Sequence, residues 1–385
     1  MDLEFTEEQE RVREGAIAFA RADLQPDVLR QEPSHAFPFD LWRKCAAFGV
    51  QGLPMPKEYG GRGMDALSTV IAMEALGYGC ADQGLLFSIH AQLWSVQTPI
   101  CKFGTPAQKE KYLPKLCDGT WIGAHCMSEP ESGSDSFHLS TSAVRKDDRY
   151  ILNGSKEFVT NGPVADLLLV FATVDPTKGI WGLIAFLVEA TTRGVVRGAK
   201  DDKLGLNTAQ MGSVTFEDCE IPTECVLGRE GQGSTIFNHS MAWERSCILA
   251  STVGAMQRQL ERCTQYAKER RQFGKPIGSF QLVASRLVDM KVRLETARLL
   301  LYQTASGLAK GDLSTMTAAI AKLYISECAV QSSLDAIQIH GARGVSKAFG
   351  IEGDLRDAIA GRIYSGTSEI QRLIIARGMG LPTNC

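Results

Sequence analysis

No uninterrupted apolar run in this sequence is long enough to span a bilayer; the longest candidate, Ala165 to Val174, has the length of a strand. No secretory leader is evident, because Met1 opens directly onto a charged, helix-like segment, MDLEFTEEQERVREGAIAFARADL. Neither sign of charge dominates. The net charge of -3 gives no reason to expect nucleic acid or an anionic membrane as partner. None of the eleven cysteines forms a CxxC pair, and Cys117, Cys126 and Cys219 are irregularly spaced. An odd count without a framework points to reduced thiols, and the expected location is cytoplasmic. The six histidines (35, 90, 125, 138, 239 and 340) contain no HExxH or similar cluster, so no metal centre is expected. There is no Walker loop and no GxGxxG opening a helix. GREGQG at 228–233 follows no convincing βα unit and reads as a turn.

What is present is a soluble composition, 44% apolar and 22% charged, over 385 residues, enough chain for two or three domains. Residues 1–118 show helical periodicity near 6–24, 39–48, 65–78, 83–101 and 106–117, with a loop marked by Pro54, Pro56 and Gly60-Gly61. Residues 119–229 change to short β-rich runs (Tyr150 to Val174, WGLIAFLVEA, MGSVTFEDCEI) separated by turn signals such as Asn153-Gly154. This predicts a small antiparallel barrel or sandwich. From 230 to 385 the helical period returns near 234–270, 279–310, 313–340 and 367–378, which predicts a four-helix bundle. The expected fold is a multidomain α+β chain: a helical domain, a β-barrel domain and a helical bundle.

Within the bundle, Glu244 stands out. Phe237, Met241, Glu244 and Ile248 are spaced four, three and four residues apart, which puts all of them on one helical face. An ionised carboxylate on an apolar stripe is costly unless paired, so it either finds a cation or shifts its pKa. Arg245 or a distant cation would give the ordinary structural explanation. A carboxylate of raised pKa facing a cavity would instead suit proton abstraction.

Six segments then occur in a recognisable order: MSEPESGSD (127–135), YILNGSKEFVTNG (150–162), LGLNTAQMGSVTFEDCEIP (204–222), YAKERRQFGKPIGSFQ (266–281), QIHGARG (338–344) and IYSGTSEIQR (363–372). Together they resemble the flavin-dependent acyl-CoA dehydrogenases, whose corresponding motifs are TEPxAGSD, LNGxKxxITNA, ERxxFGKxxxxxQ, QxxGGxG and IYEGTxxIQR. The resemblance implies FAD in a cleft between barrel and bundle, completed by a neighbouring subunit of a homotetramer. It places Met127, Ser128 and Ser134 at the flavin's polar edge, and Phe158 and Thr160 beside its ring. Arg270, Phe273 and Gln281 fall at the pyrophosphate and adenine, Gln338 and Gly341 (with Gly344) at the adenosine of a second subunit's FAD, and Thr367 and Glu369 at further cofactor contacts. A guanidinium such as that of Arg270 suits a pyrophosphate through paired, charge-assisted bonds.

Three departures bear on function. Many members carry the base in IYEGT, where this chain has Ser365. A minority, including the isovaleryl and long-chain branches, carry it on a bundle helix in an ERxxxA context, which WERSCILA matches with Glu244 and Arg245. Glu244 is therefore the candidate base, with Ser134, Met241, Arg245, Ser365 and Gly366 as candidate substrate contacts. Ala242 stands where many members place an Asp against the CoA arm, which favours a carrier-bound pantetheine over free CoA. Ala342 replaces a second glycine of QxxGGxG, so local backbone adjustment is expected there.

SMAWERSC, VRLETARLLLY, KLYISECAVQSSLDAIQ and RIYSGTSEIQ further resemble a narrower branch, the L-prolyl-[peptidyl-carrier protein] dehydrogenases, which make pyrrole-2-carboxyl units. The expected reaction is α-proton abstraction with hydride transfer to flavin. Its partners would be a carrier protein and an electron acceptor, either an electron-transfer flavoprotein or oxygen. Alternative readings are a short- or branched-chain acyl-CoA dehydrogenase, a flavin monooxygenase, and a catalytically silent flavin-binding subunit.

Overall fold

The computed structural model describes residues 5–24, 36–312 and 314–383. His35, Cys385 and Leu313, the first residue of one predicted helix, lie outside them. The chain begins with helices α1 (Glu7–Asp23), α2 (Phe39–Phe48), α3 (Ala66–Gly79), α4 (Gln83–Gln92), α5 (Thr98–Phe103) and α6 (Pro106–Cys117). Reciprocal capping boxes, Thr6 with Gln9 and Thr105 with Gln108, start α1 and α6. The helix predicted over 83–101 is not uniform. A π-helical turn, Leu93–Gln97, joins α4 to α5.

The middle of the chain is one eight-stranded sheet. Its strands are β1 (Gly123–Cys126), β2 (Ser142–Lys146), β3 (Arg149–Thr160), β4 (Leu167–Thr173), β5 (Leu183–Glu189), β6 (Val195–Lys200), β7 (Met211–Pro222) and β8 (Val226–Leu227). The order is β6-β7-β3-β2-β4-β5-β8, with β1 beside β4. Most pairings are antiparallel, as the turn-linked runs predict. The barrel is left open, and β4 pairs in parallel with β1 (Gly123 opposite Leu167) and with β2 (Ser142 opposite Thr173). All seven residues of β4 are buried, because both faces of the strand are covered. Leu167, Leu169 and Phe171 pack with Leu113, Phe237 and Met241; Leu168, Val170 and Ala172 pack with Ile184, Phe186 and Phe216.

The turn at 228–232 leads into α7 (Gly233–Cys247) and α8 (Ala250–Glu269). A two-stranded hairpin, β9 (Arg271–Gln272) and β10 (Lys275–Pro276), precedes α9 (Gln281–Ala309) and α10 (Thr315–His340). Then come α11 (Ala342–Val345), α12 (Glu352–Ala360) and α13 (Ser368–Gly378). The sequence predicts one helix over 234–270. The structure breaks it after Cys247, where Ile248 and Leu249 are both buried in the core and Leu249 leaves helical geometry. Helix α12 is absent from the sequence-based prediction. Ala342 opens α11 in helical conformation, so the missing glycine needs no special backbone there.

Two features fix the frame around the bundle. Helices α3 and α8 cross at backbone contact: a Cβ on Gly77 would lie 2.0 Å from the Ser251 oxygen, and one on Gly254 2.0 Å from the Glu74 oxygen. In the sheet, Lys156 Nζ on β3 donates to Glu129 Oε1 at 2.7 Å and to the Met127 carbonyl at 3.2 Å, with both side chains buried. Glu129 also accepts from Ser140 N, Ser140 Oγ and Thr141 N. Burial opposes its charge, but the Lys156 ammonium and these donors hold its carboxyl down to about 2. The pair thereby ties the 127–141 segment to β3. Replacing one partner of a buried pair strands the other, so Glu129→Gln is expected to lower the unfolding free energy by about 3–5 kcal/mol in urea titration. The native contribution is complete above the unfolded carboxyl value of about 4.3 and fades as pH falls from there toward about 2.

Candidate functional site

Helix α7 buries the face carrying Phe237 and Met241, and Glu244 goes with it at 8% exposure. Each carboxylate oxygen receives one hydroxyl. Ser365 Oγ donates to Oε1 at 2.7 Å and Ser95 Oγ donates to Oε2 at 2.8 Å. Ser95 comes from the π-helical turn and Ser365 from the turn between α12 and α13. Burial raises the Glu244 pKa above the ordinary carboxylate range; the two hydroxyls, and the fields of Arg245 and Lys322, offset part of that rise.

Neither cation pairs with the carboxylate. Arg245 Nε donates to the Ser365 carbonyl at 3.0 Å, and Lys322 Nζ, from α10, donates to the Gly366 carbonyl at 2.7 Å. Gln371 Nε2 from α13 reaches both carbonyls, at 3.1 and 2.8 Å. Burial, aided by Arg245, pulls Lys322 down to about 8. These three donors clamp a turn in which Ser365 (φ +57°) and Gly366 (φ +89°) both take left-handed backbone. The ordinary explanation of Glu244, neutralisation by Arg245, does not describe this geometry: the guanidinium serves the turn.

Of the candidate residues, Glu244, Arg245, Ser365 and Gly366 are thus joined in one network, with Met241 on the same helix face. A second group meets at the sheet. Glu157 N donates to the Ser128 carbonyl at 2.9 Å, which brings the 127–135 segment alongside β3. Met127 is buried, Ser128 and Thr160 are half-buried, and Ser134 is exposed. Phe158 sits in a register shift of β3 with φ +55° and is 62% exposed. Phe158 thus leaves an aromatic face uncovered on the strand to which the 127–135 segment is hydrogen-bonded. Arg270, Phe273 and Gln281, at the β9–β10 hairpin and the start of α9, and Gln338 and Gly341, at the C-terminal end of α10, are all exposed. Gln338 is about 24 Å along α10 from Lys322 at 1.5 Å per residue, so the C-terminal end of α10 lies apart from Glu244 within the chain. Thr367 caps α13 and Glu369 is exposed.

Sequence reasoning missed Ser95, Lys322, Gln371 and the Lys156–Glu129 pair. Lys322 carried a legible signal, a lone cation in the apolar run AAIAKLYISECA. Trp243 is half-buried, stacked on Trp94 at 5.9 Å and packed against the core. Burial raises Cys126 to about 12 and Cys219 to about 11 and also raises Cys247, which disfavours the thiolate form of each. A Cβ on Gly366 would lie 2.9 Å from Gln371 Nε2. Gly366→Ala is therefore expected to lower the unfolding free energy by about 1–3 kcal/mol in thermal denaturation.

Residues 6–120 match the acyl-CoA dehydrogenase N-terminal domain, residues 124–219 the middle domain and residues 231–380 the C-terminal domain. An L-prolyl-[peptidyl-carrier protein] dehydrogenase of Pseudomonas fluorescens is 45% identical over 351 residues, 91% of this chain and 92% of that protein. The crystal structure of the prolyl acyl carrier protein oxidase AnaB superposes with a TM-score of 0.97 at 47% identity, covering 98% of this chain and 100% of the other. The structure of PigA with FAD and proline gives a TM-score of 0.96 at 40% identity over 99% and 100%. The chain belongs to the acyl-CoA dehydrogenase family.

Proposed function

We propose that this chain is an FAD-dependent dehydrogenase of thioester-tethered acyl groups, acting on L-prolyl carried by a peptidyl carrier protein and producing pyrrole-2-carboxyl. The observation that carries the reading is Glu244: a buried carboxylate held by two hydroxyls, with the nearby cations engaged elsewhere. Its raised pKa suits it to accept the substrate's α-proton. Arg245, Lys322 and Gln371 turn the carbonyls of Ser365 and Gly366 onto themselves, which leaves the N–H side of that turn to polarise the thioester oxygen. One preorganised donor of this kind is commonly worth about 3 kcal/mol. Met241 and Ser134 complete the substrate contacts in this reading. FAD, when bound, supplies the hydride acceptor.

Met127, Ser128, Ser134, Phe158 and Thr160 would hold the flavin ring, with Thr367 and Glu369 nearby. Arg270, Phe273 and Gln281, with Gln338 and Gly341 of a neighbouring subunit, would take the pyrophosphate and adenosine. The separation of these groups within one chain supports a site completed by a second copy. So do the apolar residues exposed on the bundle: Phe273 is 92% exposed, and Leu282, Val288 and Val292 lie bare along α9. The assembly we propose is a homotetramer, to be checked by light scattering of the FAD-loaded protein; a monomer at full FAD occupancy would contradict it. The domain limits proposed are 118/119 and 229/230. All described cysteines are free, in keeping with a cytoplasmic location. Ala242, at the position where many family members carry an Asp against CoA, supports a carrier protein as donor. The electron acceptor is an electron-transfer flavoprotein or oxygen.

Incubation with prolyl-loaded carrier protein is expected to give a tethered product lighter by four hydrogens in mass spectrometry. Turnover of free short-chain CoA thioesters in its place would favour the acyl-CoA reading. Glu244→Gln is expected to retain FAD and lose substrate-dependent flavin reduction; an unchanged reduction rate would refute the assignment of the base.

A further inference from the structure

We infer that Ser95 and Ser365 are positioning residues which, one on each oxygen, set the ionisation and orientation of Glu244. The inference rests on Glu244 being the base and goes beyond it by naming what tunes that base. The two hydroxyls reach α7 from opposite sides of the sequence, Ser95 from a π-helical turn in the N-terminal helices and Ser365 from the clamped turn before α13. A carboxylate buried to this depth without donors would favour its neutral form. Two hydroxyl donors at 2.7 and 2.8 Å counter that preference.

A hydroxyl also accepts hydrogen bonds. After Glu244 takes a proton, its O–H can donate to either serine, whose own hydrogen then rotates away. The same pair therefore serves both protonation states without moving the backbone, as a base that is discharged and reused requires. Lysine or arginine on the carboxylate would serve only the ionised form, since neither can accept.

The charged and titratable groups facing Glu244 are Arg245 on α7, Lys322 on α10 and Tyr364 on the adjoining turn. Arg245 and Lys322 are bound to the carbonyls of residues 365 and 366, and burial keeps Tyr364 neutral. The serines are thus the groups that touch the carboxylate, while the cations act on it through space. Each serine sits in an unusual stretch of backbone. Ser365 accepts left-handed backbone that a β-branched residue would resist, and Ser95 lies in an inserted turn of the kind that recurs at functional sites.

The test is an infrared pH titration of the FAD-loaded protein, in which the Glu244 carboxyl band is assigned by its loss in Glu244→Gln. Ser95→Ala and Ser365→Gly each remove one hydroxyl, and glycine suits the backbone at 365. Each is expected to raise the Glu244 midpoint by about one pH unit, the worth of one hydrogen bond to a charged group. The acid limb of flavin reduction by prolyl-loaded carrier should move up by the same amount. Ser95→Thr, which keeps the hydroxyl, should restore the native midpoint. Unmoved midpoints in both hydroxyl-free variants would overturn the inference while leaving Glu244 as base. Flavin reduction that survives Glu244→Gln would instead remove the base reading itself.

Discussion

The carboxylate of Glu244 is enclosed where three separate parts of the chain meet, and most of the surrounding structure serves that enclosure. Helix α7 brings the acid, the π-helical turn after α4 brings Ser95, and the turn before α13 brings Ser365. Taking a carboxylate out of water disfavours its charge, and the hydroxyls restore only part of what solvation supplied. The result is an acid of raised pKa, positioned by parts of the chain that are each held by contacts of their own.

Gly77 and Gly254 let α3 and α8 touch backbone to backbone, which docks the N-terminal helices, and with them Ser95, onto the bundle. The Arg245, Lys322 and Gln371 donors fix the left-handed turn that presents Ser365. On the sheet, the buried Lys156–Glu129 pair holds the 127–141 segment against β3, beside the exposed ring of Phe158. Around Glu244 the cations bind the backbone of the turn, and the carboxylate itself is met by neutral hydroxyl donors.

Much of this was legible in the sequence, and the exceptions have physical causes. Glu244 could be read because a carboxylate interrupts an apolar stripe at helical spacing. The same reasoning applied to AAIAKLYISECA would have found Lys322. Ser95 could not be read, since a π-helical insertion leaves no periodic signature and its partner lies 149 positions away. The parallel pairing of β1 with β4 joins a four-residue strand to one some forty residues later, and local turn chemistry carries no trace of it. Helix α12 is short and starts without a side-chain cap. The division of α7 from α8 reflects burial of Ile248 and Leu249, tertiary packing overriding a continuous helical period.

The most direct measurement of the central claim is the rate of anaerobic flavin bleaching by prolyl-loaded carrier protein, compared with the same thioester carrying deuterium at Cα. If Glu244 removes the α-proton in the step that reduces the flavin, deuteration slows bleaching several-fold in the native chain. Bleaching that is indifferent to deuterium at Cα under conditions where chemistry limits the rate would contradict the account.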